Sequence, residues 1–95
     1  MPSYRIETFL AREAASECAA REWRARSTAG ELRRQGVMVR FDRVILVPEE
    51  ETCLFVFDAA SAREAALVAE LADLGPFRIV ESEAAARERS RSGRV

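Results

Sequence analysis

The sequence predicts an α+β domain with the element order β-α-β-β-α-β, and three observations carry that prediction. From Val37 to Asp58, VMVRFDRVILVPEEETCLFVFD sets two apolar, β-branched and aromatic runs around the polar knot Pro48-Glu49-Glu50-Glu51, the pattern of a β-hairpin. Helical spacing appears before this stretch and again after it. Short strand-like runs open and close the pattern at 3–9 and 77–82.

In the first strand, Tyr4, Ile6 and Thr8 fall on one side and Arg5, Glu7 and Phe9 on the other, so one face is apolar and the other mixed. A helix is expected over 11–35. Ala11, Ala14, Cys18, Ala25, Ala29 and Leu32 form one stripe of mostly small side chains that can lie close to a sheet. Gly36 supplies a left-handed stop, and Ser16 is a candidate N-cap. Glu22 lies within this stripe and Trp23 outside it. Glu22 is either a stripe-edge carboxylate paired with an arginine or a part-buried acid, and Trp23 is either an interface anchor or a partly exposed side chain.

In the hairpin, Val37, Val39 and Phe41 share one face, with Met38, Arg40 and Asp42 on the other, and Asp42-Arg43 marks a bulge. Thr52 to Asp58 is apolar on both sides, with Cys53, Phe55 and Phe57 opposed to Leu54 and Val56, which predicts a strand covered on both faces. The three glutamates form a solvated tip; as neighbours in a turn they diverge too much to make a good metal cluster. Ser61-Ala-Arg-Glu64 is a capping box opening a helix expected to reach Leu74 and close at Gly75-Pro76. Ala62, Ala65, Ala69 and Ala72 form one stripe of it and Leu67, Leu71 and Leu74 a second, which needs its own partner.

Ninety-five residues make one domain, here expected over 1–84, followed by a basic, flexible tail at 85–95. Residues 1–86 carry eleven arginines against fifteen acids, so the body is acidic, and nucleic acid is an unlikely partner without a basic face interleaved with aromatics. No apolar run approaches the ~20 residues of a membrane span, and no signal peptide is visible, so a cytoplasmic location is expected. The chain has no histidine and no lysine. That excludes His-dependent triads and zinc sites within one chain, Schiff-base chemistry, and the usual phosphate-loop lysine. Cys18 and Cys53, far apart in sequence, read as buried thiols of a reducing compartment.

With right-handed crossovers the element order gives the ferredoxin-like arrangement, a four-stranded antiparallel sheet with two helices on one face. The remaining face would expose more apolar surface than monomers tolerate. Pairing two such faces across a two-fold axis covers both, so a homodimer is expected, its two sheets enclosing a pocket.

The string VRFDRVILVPEEETCLFVFDAASAREA, with the later PFRIVES, resembles a family of small bacterial proteins common in actinomycetes, a domain of unknown function with nickel-binding members. Gly36-Val37, Val39-Arg40, Val47-Pro48, Glu51-Thr52-Cys53, Ser61 and Phe77-Arg78-Ile79-Val80-Glu81 match its motifs in place. The resemblance implies a dimeric ferredoxin-like α/β barrel. Nickel-binding members use histidines, which this sequence lacks, so no metal or other cofactor is carried over. Barrels of this kind commonly bind small, largely apolar metabolites, and some act as cofactor-independent cyclases or isomerases. A catalytic set would come from Glu7, Arg40, Tyr4 and Asp42, as carboxylate base, oxyanion donor and proton donor. Ile6, Phe41, Cys53, Phe55 and Glu22 would contact the ligand. Metal (nickel) binding or sensing as in those members, disfavoured by the absence of histidine, and a non-catalytic interaction module are the other readings, and cross-strand ion pairing at a dimer seam is the structural alternative for the charged residues.

Overall fold

The computed structural model describes residues 1–81. The domain boundary expected at 84 and the tail at 85–95 lie outside the described residues. Strand β1 (Ser3–Phe9) leads through a 3-10 segment (Arg12–Glu17) into α1 (Cys18–Arg34). Then come β2 (Val39–Val47), a 3-10 turn (Pro48–Glu50), β3 (Thr52–Ala59), α2 (Ala62–Leu71) and β4 (Phe77–Glu81). The four strands form one antiparallel sheet in the order β2-β3-β1-β4. Ala25, Ala29 and Leu32 of α1 and Ala65, Val68 and Ala69 of α2 join a single core with Ile6, Phe55 and Phe57. Both helices therefore lie against the same sheet face, which is consistent with a ferredoxin-like arrangement. Among the described residues no helix is long and apolar enough to cross a membrane.

The small residues of α1 bring the helix close to the sheet: Ala25 and Ala29 are fully enclosed. The first part of the expected helix is not α-helical. Residues 12–17 wind as a 3-10 segment with Ala14 outside helical geometry, and α1 starts at Cys18 with no side-chain cap, so Ser16 is not its N-cap. The start is fixed instead from across the fold. Glu51 Oε2 accepts the backbone N–H of Arg12 at 3.0 Å, and the Glu51 carbonyl accepts that of Leu10 at 2.9 Å. Glu51 thus docks the hairpin tip on the β1–α1 junction. The stop is as expected: Gly36 has φ +92°, and Val37 N–H reaches back to the Leu32 carbonyl at 2.9 Å.

Ser61 caps α2, its Oγ accepting from the Arg63 N–H while its hydroxyl donates to Glu64. That bond, with backbone N–H donors at the helix start, holds the Glu64 carboxyl below its usual range. The helix ends at Leu71, short of the Leu74 expected. Asp73 takes the left-handed position at φ +55°, letting the Leu74 N–H close on the Ala69 carbonyl at 3.1 Å. Arg24 of α1 then covers the freed carbonyls of Ala72 and Asp73 at 2.9 and 3.1 Å. Leu74 is buried, whereas Leu71 is 60% exposed, so the second leucine stripe is split between core and surface.

Candidate functional site: the open face of the sheet

Strand register sorts every side chain to one of two faces, because residues opposite one another in an antiparallel pair share a face. Tyr4 pairs with Phe57, Ile6 with Phe55 and Thr8 with Cys53 on the helix-covered side. The open side carries Ser3, Arg5, Glu7 and Phe9 of β1 opposite Asp58, Val56, Leu54 and Thr52 of β3. Beyond these, β4 adds Arg78 and Val80, and β2 adds Arg40, Arg43, Ile45 and Val47.

The β2–β3 register shifts between Phe41 and Arg43, leaving Asp42 as the extra residue of the bulge. Its effect is a change of phase. Phe41 and Val44 both reach the covered face, opposite Phe57 and Phe55, while Arg43 and Ile45 turn to the open face. A strand without the bulge would put Phe41, Arg43 and Ile45 together.

Two charge clusters sit on the open face. At its centre Arg78 Nη2 and Nε both donate to Glu7 Oε1, at 2.7 and 3.1 Å, and Arg5 Nη2 lies 3.6 Å from Glu7 Oε2. Arg5 Nε is buried and has no hydrogen-bond partner among the described residues. At one end Asp58, only 5% exposed, accepts from Ser3 Oγ at 2.7 Å and from Arg40 Nη2 at 2.9 Å. The bond to Asp58 and its charge raise the Arg40 pKa further. Asp42 pairs with its neighbour Arg43 at 2.8 Å. Among the described residues, the guanidinium groups of Arg5, Arg40, Arg43 and Arg78 thus meet the carboxylates of Glu7, Asp42 and Asp58.

Apolar side chains fill the rows between. Val56 is 2% exposed although it faces away from both described helices; its register places it between Arg5 and Arg43, whose stems can shield apolar surface. Leu54, Ile45, Val47 and Val80 are half-buried, and Phe9 is 65% exposed at the far end. The register thus settles what the hairpin sequence left open: Leu54 and Val56 turn away from the two described helices, onto a side more charged than that sequence implies.

The nine residues singled out from the sequence do not converge. Glu7 and Arg40 share the open face, two rows apart. Tyr4 lies on the opposite face, 7% exposed, so the register separates it from Glu7 and Arg40 as members of one cavity. Ile6, Cys53 and Phe55 are fully buried under the helices, where they serve as core. Phe41 meets Phe57 edge-on with ring centroids 5.5 Å apart and carries the Arg26 guanidinium 5.1 Å above its ring. Asp42 stands at the bulge, and Glu22 on α1 pairs with Arg26 at 3.1 Å. A shallow cavity of about 280 Å³, lined by Met1, Arg33, Val37, Met38 and Arg40, adjoins the Asp58 cluster. Arg78 and Asp58, central to the clusters, were not singled out. The alternation of β1 paired with β4 for Arg78, and with β3 for Asp58, was their available signal. Among the described residues no three Cys, Asp or Glu side chains are grouped to hold a metal.

No protein-family model, curated protein or solved structure matches this chain.

Proposed function

We propose that two copies of the chain pair open face to open face about a two-fold axis, and that the space between their sheets receives a small, largely apolar molecule bearing one acid group. The observation that carries this reading is the Arg5–Glu7–Arg78 cluster set among Leu54, Val56, Ile45 and Val80 on the face that the helices leave open.

Size supports a second copy as the cover. Four strands at ~4.8 Å spacing and about eight residues at ~3.3 Å give a platform of roughly 19 by 26 Å. Two such platforms in contact reach roughly the 1,000 Å² that a specific interface needs. The mixed charges suit an isologous interface, where each patch meets itself and needs both signs. Arg5 Nε, which has no acceptor among the described residues, gives an anion a donor. Glu7 already holds Arg78 and has Arg5 beside it, so taking a substrate proton would require exchange of partners. Binding is accordingly the function we assign, with Arg5 and Arg78 as its polar anchor and Glu7 holding the two guanidinium groups in place.

The test uses the fluorescent apolar sulfonate 8-anilinonaphthalene-1-sulfonate as probe. The native protein is expected to bind it saturably, and Arg78→Ala to weaken binding about tenfold, worth ~1.4 kcal/mol. Absence of saturable binding, or equal binding by the variant, contradicts the assignment.

A further inference from the structure

We propose that Cys18 and Cys53 form a thiol–disulfide modification site, in which a small-molecule disulfide converts the two thiols into an intramolecular bond tying the start of α1 to strand β3. Their sulfurs lie 3.8 Å apart, although 35 positions separate them in sequence. Both are free thiols.

The two cysteines differ in the way such a pair requires. Cys18, the first residue of α1, is partly exposed and open to a small oxidant. Cys53 is fully enclosed in the central strand β3, between the neighbours Thr8 and Leu46, and Thr8 Oγ1 pins its carbonyl at 2.8 Å. Burial, with Cys18 alongside, pushes the Cys53 thiol up to about 12. Arg21 favours the Cys53 thiolate and Glu22 opposes it. Cys18 is therefore the entering thiol and Cys53 the resolving one.

The steps balance. The Cys18 thiolate attacks one sulfur of a low-molecular-weight disulfide RSSR, forming Cys18–S–S–R and releasing RS⁻. Cys53 gives up its proton, and its sulfur displaces the second RS⁻ from Cys18, closing the Cys18–Cys53 bond. The protein loses two hydrogens, RSSR gains them as two RSH, and no other oxidant is needed.

Closing a bond of ~2.05 Å requires the sulfurs to approach by a further ~1.8 Å. The movable partner is Cys18. It sits where the 3-10 segment, kinked at the non-helical Ala14, meets α1, which has no side-chain cap. Cys53 is held by ladder bonds on both sides. The oxidised site would constrain a loop of about 36 residues that spans α1, β2 and the hairpin tip.

The experiment treats the full native chain with oxidised glutathione, followed by mass spectrometry without reduction. The expected product is ~2 Da lighter than the reduced chain, carries no glutathione, yields one Cys18–Cys53 cross-linked peptide, and melts at least ~10 °C higher. Cys53→Ala should instead stop at a stable glutathione adduct on Cys18, and Cys18→Ala should remain unmodified. The Cys18→Ala result is readable even if the buried Cys53→Ala variant folds poorly. A persistent glutathione adduct on the native chain, or modification of Cys53 in Cys18→Ala, overturns the proposal.

Discussion

Arg78 on edge strand β4 donates two hydrogen bonds to one carboxylate oxygen of Glu7 on β1, joining the strands on the face turned away from α1 and α2. The pair is partly in water, with Arg78 77% exposed and Glu7 20%. Such a pair contributes at most ~1 kcal/mol to folding. Glu7→Gln should therefore lower the melting temperature by only a few degrees while changing ligand affinity by several-fold. Thermal melts beside dye titrations separate the effects; a large loss of stability with unchanged affinity would assign Glu7 to structure alone.

Asp58 is the open-face charge with the larger structural role. It is nearly buried and accepts from both Ser3 and Arg40, so Asp58→Ala leaves the buried Ser3 hydroxyl without that acceptor. A loss of about 1–3 kcal/mol is expected in urea unfolding. Arg40→Ala, which removes only the exposed partner, should cost less. The reverse ranking would contradict the geometry.

The two helix stops give opposite predictions from one cause. Gly36 sits at φ +92° in open space, so Gly36→Ala meets no clash and costs only backbone strain, about 1–2 kcal/mol. Asp73 already bears that strain at φ +55°, and Asp73→Gly should gain about 0.5–1 kcal/mol. Urea midpoints of the two variants check both signs.

Burial and the adjoining Cys18 raise the Cys53 pKa from 9.0 to about 12, so the fold favours the neutral thiol. That stabilisation is complete below pH 9.0 and is lost as pH rises toward about 12, because the unfolded chain gives up the proton first. Across this alkaline window the reduced native chain should lose more stability than Cys53→Ala. Parallel curves would contradict the assignment.

The element order was legible because alternation, helical stripes and caps agreed locally: Ser61, Gly36 and the Asp42-Arg43 bulge all act where their residue types point. What escaped depended on partners distant in the chain. Glu51 reads as a solvated tip until the β1–α1 junction folds against it. Asp73 displaces Gly75 as the cap of α2, since an aspartate tolerates the left-handed region and Leu74 can then be buried. The candidate site was less legible. Alternation within β1 separates Tyr4 from Glu7, but only cross-strand register shows that Arg78 and Asp58 complete the open-face clusters. Cys18 on the helix stripe and Cys53 on a core-facing side carried a readable signal of proximity, masked by their separation in sequence.

The central claim is that the open sheet faces pair. Sedimentation of the native chain beside Ile45→Glu tests it most directly, because Ile45 is a half-buried apolar residue of that face outside every ion pair described above. The native chain is expected to sediment as a dimer at micromolar concentration, and Ile45→Glu as a folded monomer with an unchanged circular dichroism spectrum. A native chain that sediments as a monomer at that concentration, or an Ile45→Glu variant that dimerises as well as the native chain, would contradict the account.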